Sequence, residues 1–312
     1  MSTKKIQVSI GADIGGSHIS CVGVNLIDQS IIEASQSRVK IDHRETPETI
    51  LSAWATAING TIDSINDLSL SGIGFSIPGP FDYHAGISKM EHKFPQLKDI
   101  HIPSRLGPLL TTAPSVQMRF LNDAVAFAVG EAWIGAGKNA KKVVVITLGT
   151  GFGSAYVDAG IPVVGREDVA PQGCFWHLPC RDGIADDYFS TRWFVNTYKE
   201  KTGKSVTGVK EIAEVVQSDA IAKELFLSFG ENMASFIGPW LKKFNAETLI
   251  MGGNIALSYE LFKESMHRSF EKNDVHVHVQ LSQLLENAAM VGAARLFDPE
   301  FWEQHKNTKQ PL

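Results

Sequence analysis

The sequence predicts an α/β protein of two domains, and two observations lead to this expectation. A unit of strand, glycine turn and strand occurs twice, once from residue 6 and again from residue 142. After each unit, segments with helical periodicity alternate with short apolar strands, as is typical of α/β architectures. The length of 312 residues agrees with this prediction, because domains hold roughly 150 residues each.

The first half is predicted to contain five strands and two helices. The first helix has Thr46 as its N-cap, Pro47 at its first position and apolar residues at steps of three or four up to Ile65. The second helix runs from Asn122 to residue 136. Residues 81–103 are rich in Pro, His and Gly and predict a long surface excursion. The strands are expected at residues 6–12, 19–24, 31–39, 70–77 and 116–121.

The second half repeats the strand pattern and then becomes mainly helical. The chain from Gln304 is polar, and it is expected to fray. The strands are expected at residues 143–146, 155–157, 161–164, 249–251 and 276–279. The helices are expected at residues 186–201, 209–217, 220–244 and 288–296.

Charge and composition exclude several classes of protein. There are 29 Lys and Arg against 34 Asp and Glu, a net charge of −5, whereas a protein that binds nucleic acid or a membrane surface needs a cationic field. No apolar stretch approaches the ~20 residues of a membrane span, and Asp13 interrupts any signal-like core. Cys21, Cys174 and Cys180 cannot all pair, so a reduced, cytoplasmic protein is expected.

Three glycine clusters are candidate phosphate- and nucleotide-binding sites. A glycine turn between strands exposes backbone N–H groups that an anion can approach, and two such turns could grip a polyphosphate. One turn alone is better explained as a structural hairpin, and neither turn has the Walker lysine or the helix that follows a dinucleotide fingerprint. The third cluster, at a strand end that opens a helix, strengthens the nucleotide hypothesis. The candidates are Gly15, Gly16, Ser17, Gly149, Thr150, Gly151, Gly252, Gly253 and Asn254.

Asp123 is the candidate general base, because it follows a predicted strand at the end that borders the ligand crevice in open α/β sheets. Asn and Asp are also preferred N-caps, so the pair Asn122-Asp123 has an equally good structural explanation. The two roles are compatible if Asn122 caps the helix.

Two groups of residues that include histidines are not expected to bind a metal. The spacing of Cys174, His177 and Cys180 matches no zinc-finger or zinc-ribbon pattern. His276 and His278 alternate and so share one face of a predicted strand, which is expected to be a solvated or half-buried face rather than a pair of ligands.

Together, six segments in order resemble the ROK family of sugar kinases over almost the whole chain. The resemblance implies the actin-like (ribonuclease H-like) ATPase fold with a central cleft between two domains. The smaller domain would hold residues 1–121 plus 296–312 with a closing C-terminal helix, and the larger domain would hold residues 122–295. It also implies a homodimer. The segments are Ala12–Ser17, Gly74–Pro80, Leu121–Ala124, Leu148–Gly153, Met251–Gly253 and Val291–Ala294.

The resemblance further implies phosphorylation of a hexose hydroxyl, on glucose or a close relative, with ATP and Mg²⁺. Asp123 would be the base, Asn122 would hold a sugar hydroxyl and the loop with Gly79 would line the sugar pocket. Asp13 would lie near the metal, and Gly252-Gly253 would flank adenosine. Polyphosphate is an alternative phosphoryl donor.

The chain departs from the family pattern on the sugar side. Cys174 stands where the family has a sugar-binding Glu, Trp176 replaces a Gly, and His177 is retained. The zinc-binding cysteine cluster is missing, so no structural zinc is expected, and Asp186 falls at the place of a second sugar-binding Glu. Loss of a carboxylate removes a strong acceptor for sugar hydroxyls. Glu restored at position 174 should change sugar preference, unless Gln172 or Glu167 contacts the sugar instead.

Two alternatives remain open at this point. One is a degenerate member that binds sugar without phosphorylating it. The other is a sugar-responsive transcriptional regulator, which is disfavoured because only 12 residues precede Asp13 and the net charge is negative.

Overall fold

The computed structural model describes residues 7–65, 68–91, 93–111 and 115–308. The strands are β1 Gln7–Ile14, β2 His18–Asn25, β3 Ser30–Lys40, β4 Ser69–Ile77, β5 Phe81–Asp82, β6 Ile87–Ser88, β7 Met118–Asn122, β8 Lys142–Leu148, β9 Phe152–Asp158, β10 Ile161–Pro162, β11 Pro179–Cys180, β12 Gly183–Ile184, β13 Thr248–Gly252 and β14 His278–Leu281. The α-helices are α1 Pro47–Ser64, α2 Ile102–Leu106, α3 Asp123–Ile134, α4 Ala185–Tyr188, α5 Thr191–Thr202, α6 Val209–Glu214, α7 Ala220–Phe244, α8 Lys263–Lys272, α9 Asn287–Ala294 and α10 Pro299–His305.

The first sheet has the order β3-β2-β1-β4-β7, with β1 antiparallel to β2 and parallel to β4. On one face, α9 lies against β1 and β4. On the other face, Trp54 of α1 is fully buried against Phe75 and Phe94, with ring centroids 6.5 and 6.0 Å away. Both faces of the sheet are therefore covered, which explains the apolar character of β1 and β4.

The second sheet repeats this arrangement, with β9 antiparallel to β8, and β8, β13 and β14 parallel in that order. A core of aromatic side chains packs around α7, whose Phe229 contacts Phe189 and Phe194 at centroid distances of 6.0 and 4.8 Å. Asp219 caps α7 and Asn245 ends it in the left-handed conformation, so the bounds of this helix agree with the prediction.

Contacts divide the chain into two compact units. The first contains residues 1–138, 160–162 and 286–312, and the second contains residues 139–159 and 163–285. These bounds differ from the predicted ones, because α3 and α9 both belong to the first unit. A Cβ on Gly130 would lie 2.0 Å from the carbonyl oxygen of Ala288, and one on Gly292 would lie 1.8 Å from that of Ala126. Two facing glycines let the helices approach closely and hold them together.

The prediction of a surface excursion at residues 81–103 is wrong. The segment contains β5, β6, a 3₁₀ helix at Pro95–Leu97 and the start of α2. Met90, Phe94, Leu97 and Ile102 within it are fully buried. Their irregular spacing matches neither a strand nor a long helix, so the Pro, His and Gly content dominated the prediction.

Other predicted elements also have different bounds, including the helices predicted at 209–217 and 288–296, which are observed as α6 and α9. The helix predicted at 186–201 is two helices, α4 and α5, because Phe189 enters the aromatic core between them. The strand predicted from His276 begins at His278, and His276 instead contacts Asp274 (3.0 Å). A further change concerns residues 161–164, where β10 covers Ile161–Pro162.

The C-terminal helix α10 lies within residues 296–312, where a closing helix was expected without stated bounds. Asp298 is its N-cap and accepts a hydrogen bond from the Phe301 N–H (2.7 Å), while Phe301 and His305 are buried. Gln304 therefore lies in a helix, and the part of the predicted frayed tail at residues 309–312 lies outside the described residues. Within the described ranges, none of the helices is both long and apolar enough to cross a membrane.

Candidate functional site

Asp123 lies at the point where β7 ends and α3 begins. Asn122 is the N-cap of α3, since its Oδ1 accepts hydrogen bonds from the backbone N–H groups of Ala124 (3.1 Å) and Val125 (3.3 Å). The Asp123 side chain is 42% exposed, and its Oδ1 accepts a hydrogen bond from the Ala124 N–H (2.9 Å). The capping role falls to Asn122, which leaves the Asp123 carboxylate accessible to a ligand.

Asp13 lies in the same unit, one residue before the end of β1. Its Oδ1 accepts a hydrogen bond from Ser76 Oγ of β4 (2.7 Å). Burial raises the pKa of Asp13 from 3.8 to about 6, the Ser76 hydrogen bond opposes the shift, and the negative charge of Asp123 adds to it. The two carboxylates are thus close enough to interact electrostatically.

Two side chains outside the sequence motifs complete this group. Lys93 Nζ lies 3.6 Å from Asp123 Oδ2. Tyr83 OH accepts a hydrogen bond from Asn122 Nδ2 (3.2 Å) and donates one to the Ile77 carbonyl (3.3 Å). Both residues lie in the segment that composition assigned to a surface excursion, and no sequence signal identified them. The Asp123 cluster is defined here as Asp13, Ser76, Tyr83, Lys93, Asn122 and Asp123.

Gly79 follows β4 in the first unit, and its peptide bond to Pro80 is cis. The loop is tied to the chain ahead, because the Pro80 carbonyl accepts a hydrogen bond from the Lys89 N–H (3.1 Å). The structure thus connects the predicted sugar loop to the segment that leads to Lys93.

The first glycine turn joins β1 to β2 and is open. The Gly15 N–H donates to the His18 carbonyl (3.0 Å), and Ser17 Oγ is 2.9 Å from His18 Nδ1. Gly16 and Ser17 are exposed, and no atom lies within 4 Å of the position a Gly16 Cβ would take. There is room at this turn for an anion.

The second glycine turn joins β8 to β9 and is braced by later parts of the chain. The Gly149 carbonyl accepts hydrogen bonds from the N–H (2.8 Å) and Oγ1 (2.9 Å) of Thr191. Asp186 Oδ1 accepts from the Phe152 N–H (2.7 Å), and Oδ2 accepts from Arg192 (3.1 Å). Asp186, the predicted sugar ligand, therefore contacts the turn that is predicted to hold phosphates.

Part of this second turn is nevertheless accessible. Thr150 is exposed, and nothing lies within 4 Å of the position a Gly149 Cβ would take. A Cβ on Gly151 would lie 2.9 Å from Asp186 Oδ1. The brace thus lies on the Gly151 side of the turn.

The third glycine cluster packs on the end of β8. Gly253 has φ +85°, and a Cβ there would lie 2.3 Å from the Leu148 carbonyl oxygen, so both conformation and space require glycine. Asn254 opens a 3₁₀ helix, Asn254–Leu261, where an α-helix was expected. A cavity of about 100 Å³ beside it is lined by Met251, Gly252, Gly253, Ala256, Leu257, Leu281, Ser282 and Leu285.

Cys174 and His177 lie together in the second unit. Cys174 Sγ is 3.6 Å from His177 Nδ1, and the thiol is buried. Burial raises the pKa of Cys174 to about 11 and lowers the pKa of His177, so both groups are uncharged at neutral pH. In the described part of the chain, no three His, Cys, Asp or Glu side chains form a group that could hold a metal ion. The absence of zinc stays a prediction.

The candidate residues divide between the two units. The first unit holds Asp13, Gly15, Gly16, Ser17, Gly79, Asn122 and Asp123, and the second holds Gly149, Thr150, Gly151, Cys174, His177, Asp186, Gly252, Gly253 and Asn254. Within the second unit, the contact of Gly253 with Leu148 brings the third glycine cluster beside the second turn.

Comparison with known proteins gives a consistent result. The model of the ROK family matches residues 9–300. The glucokinase of Thermotoga maritima is 26% identical and aligns with 92% of this chain and 96% of its own. The N-acetyl-D-glucosamine kinase of Haemophilus influenzae is 24% identical, with 92% and 98% covered.

Solved structures agree with the sequence matches. A ROK family glucokinase from Streptomyces griseus, determined in complex with glucose and AMPPNP, superimposes with a TM-score of 0.71 at 24% identity, with 93% of this chain and 98% of that chain covered. The predicted actin-like fold is thereby confirmed.

Proposed function

Because the chain belongs to the ROK family, we propose that it is an ATP-dependent sugar kinase that phosphorylates a hydroxyl group of glucose or a closely related hexose. The observation that carries the proposal is the position of Asp123. Its carboxylate is accessible at the carboxyl end of β7, while Asn122 takes over the capping of α3. The curated relatives, a glucokinase and an N-acetyl-D-glucosamine kinase, support the reaction class.

In the proposed reaction, Asp123 accepts the proton of the sugar hydroxyl while the hydroxyl oxygen forms a bond to the γ-phosphorus of ATP, and the bond from that phosphorus to ADP breaks, so that ADP leaves. The N-terminus of α3 holds the carboxylate in place, since the Ala124 N–H donates a hydrogen bond to Asp123 Oδ1 (2.9 Å). Tyr83 in turn fixes Asn122 through its hydroxyl. The direct contact of Asn122 with a sugar hydroxyl stays part of the proposal.

The glycine clusters are proposed to bind ATP. At the first turn, Gly16 and Ser17 are exposed and offer a backbone N–H and a hydroxyl to the phosphates. At the second turn, the exposed Thr150 offers a hydroxyl, while the Gly149 N–H donates to the Gly151 carbonyl (3.1 Å). Beside Gly253, the exposed apolar side chains of Leu257, Leu281 and Leu285 suit the face of an adenine ring.

The Asp123 cluster suits Mg²⁺, which takes oxygen ligands and few protein groups when it is bound with phosphates. Asp13 would be its protein ligand. Burial raises the pKa of this carboxyl group to about 6, and a cation bound beside it would favour the charged carboxylate. Mg²⁺ supplies neutralisation of the charge on the phosphates.

The test is ADP release, in a coupled assay with Mg²⁺ and ATP, across glucose, mannose, fructose, N-acetylglucosamine and N-acetylmannosamine. Turnover of at least one sugar is expected. Asp123→Asn and Asp123→Ala should lower kcat about a hundredfold or more, because a general base contributes at least that factor. ATP binding, measured by calorimetry, should change little. Near-normal turnover by either variant would contradict the role of Asp123.

Two controls separate the alternatives. Sugar binding without any turnover would favour a degenerate sugar-binding protein. Turnover with polyphosphate in place of ATP would identify a second donor. The variant Cys174→Glu tests the sugar side, since a changed preference across the same panel would place position 174 next to the sugar.

A further inference from the structure

Lys93 is the cation that contacts the candidate base within the described residues. Its Nζ lies 3.6 Å from Asp123 Oδ2, beyond the length of a good hydrogen bond. The Lys93 side chain is 55% exposed. An exposed pair of this kind contributes little to stability, so the fold itself does not explain the lysine. An ammonium group has three N–H donors, and this loose contact leaves them available to a ligand.

The backbone at Lys93 is firmly held although its side chain is exposed. The next residue, Phe94, is fully buried, with its ring edge-on to Trp54 at 6.0 Å. The Leu97 N–H donates to the Phe94 carbonyl (3.0 Å), and Leu97 is also buried. The segment that carries Lys93 is therefore anchored in the core of the first unit, and this keeps Lys93 beside Asp123.

The predicted sugar ligands of the second unit offer few groups that suit a neutral sugar. A neutral sugar is usually held by carboxylates that accept hydrogen bonds from its hydroxyl groups. Here, Cys174 and His177 are uncharged at neutral pH, because burial raises the pKa of the thiol and lowers that of the imidazole. Asp186 already accepts hydrogen bonds at both oxygens, from Phe152 and Arg192. Of these three side chains, only Asp186 carries a carboxylate, and both of its oxygens are engaged.

We propose that Lys93 is a specificity-determining residue that selects an acceptor sugar carrying an anionic group, a carboxylate or a phosphate, near the hydroxyl to be phosphorylated. The proposal rests on the kinase function proposed above and names its substrate class. The anionic group pairs with the Lys93 ammonium, and the hydroxyl is thereby placed at the Asp123 carboxylate. Because the ammonium remains close to Asp123, one residue can contact both the base and the substrate.

The test compares neutral and anionic sugars that share a carbon skeleton. Glucose is measured against glucuronate and gluconate, which carry a carboxylate at opposite ends, and against glucose 1-phosphate and glucose 6-phosphate. Product formation is followed by ADP release and by mass spectrometry. The wild-type protein is expected to have a higher kcat/KM for at least one anionic sugar than for glucose.

The variant Lys93→Met removes the charge and keeps the length of the side chain. It should lower kcat/KM for the preferred anionic sugar about tenfold to a hundredfold, the effect of one charge-assisted hydrogen bond, and change that for glucose little. Lys93→Arg should retain most of the preference. Lys98→Met is the matched control, because Lys98 is an exposed lysine of the same segment that pairs with Glu91 (2.5 Å).

The outcomes distinguish this proposal from the function on which it rests. If no sugar is phosphorylated, the kinase function fails. If glucose or another neutral sugar is preferred and Lys93→Met leaves the preference unchanged, the kinase function stands and the role of Lys93 is overturned. An equal loss of kcat for neutral and anionic sugars would assign Lys93 to the transferred phosphoryl group and would also overturn it. A preference for the sugar acids or for the sugar phosphates identifies which anionic group Lys93 binds.

Discussion

The two glycine turns have the same strand–turn–strand frame and different surroundings. At the first turn, the carboxylate comes from the strand itself, since Asp13 lies two residues before Gly15. At the second turn, Thr147 holds that place two residues before Gly149, and a carboxylate arrives instead from α4 as Asp186. The first carboxylate bonds to Ser76 on a neighbouring strand, whereas the second bonds to the turn itself.

The same backbone unit can therefore serve two different functions, depending on the side chains around it. The open first turn, with the half-buried Asp13 beside it, suits an ion and phosphates. The braced second turn is held by Asp186 and Thr191, which fix the shape of its backbone. Three predictions test this contrast, in order of decreasing effect.

Asp13→Asn should have the largest effect. The substitution keeps the size of the side chain and its hydrogen bond with Ser76, but it removes the charge proposed to bind Mg²⁺. We expect kcat/KM to fall about a hundredfold or more, as for loss of a preorganised electrostatic contact. Thr147→Val, at the corresponding place before the second turn, should change kcat/KM less than about threefold. Steady-state kinetics with Mg²⁺ and ATP measure both, and equal effects would contradict the contrast.

The stability of the Asp13→Asn variant provides the control for folding. The pKa of Asp13 is raised from 3.8 to about 6 by burial, so the folded protein holds a proton that the unfolded chain releases between these values. The stability of the metal-free protein should therefore fall as pH rises from about 4 to about 6, and the variant should lack this fall. Urea unfolding in EDTA measures it. If the variant is less stable than the wild type at pH 7, the charge of Asp13 does not destabilise the folded protein, and the prediction is wrong.

Alanine at the exposed glycines separates phosphate binding from folding. Nothing lies within 4 Å of a Cβ at Gly16 or at Gly149, so each variant should keep its thermal stability. If phosphates approach these turns, the new methyl group should raise KM for ATP about tenfold, the effect of one weakened hydrogen bond to a charged group. Gly208→Ala, also in open space but outside the turns, is the matched control. Unchanged KM in both turn variants would favour purely structural turns.

Asp186→Ala tests the brace and should have the smallest effect. It leaves the Phe152 N–H without its acceptor, so the free energy of unfolding should fall by about 1 kcal/mol. Asp186→Asn keeps an acceptor oxygen and should retain most of the stability. A brace predicts that KM for ATP rises more than KM for the sugar in Asp186→Ala. The opposite order would support the predicted role of Asp186 as a sugar ligand.

Prediction from the sequence was most accurate where the signal is local. The helix at 220–244 was predicted with its observed bounds, because its apolar periodicity runs over many turns. The structure adds that Asp219 is its N-cap. The capping role of Asn122 was among the expected alternatives and is confirmed. The burial of Phe94 and Leu97 was not predicted, because short segments with irregular apolar spacing carry no period.

Sequence alone predicted the strands of the two five-stranded sheets, the longest helices, the two glycine turns and the candidate base. These depend on neighbours within a few residues, where propensity, capping and turn chemistry act. Only the tertiary structure decided that Lys93 contacts Asp123, that Ser76 holds Asp13 and that Asp186 braces the second turn. The physical reason is distance along the chain. Contacts between residues 30 or more positions apart, such as Asp186 with Phe152, follow from how sheets and helices pack, and no local pattern encodes them.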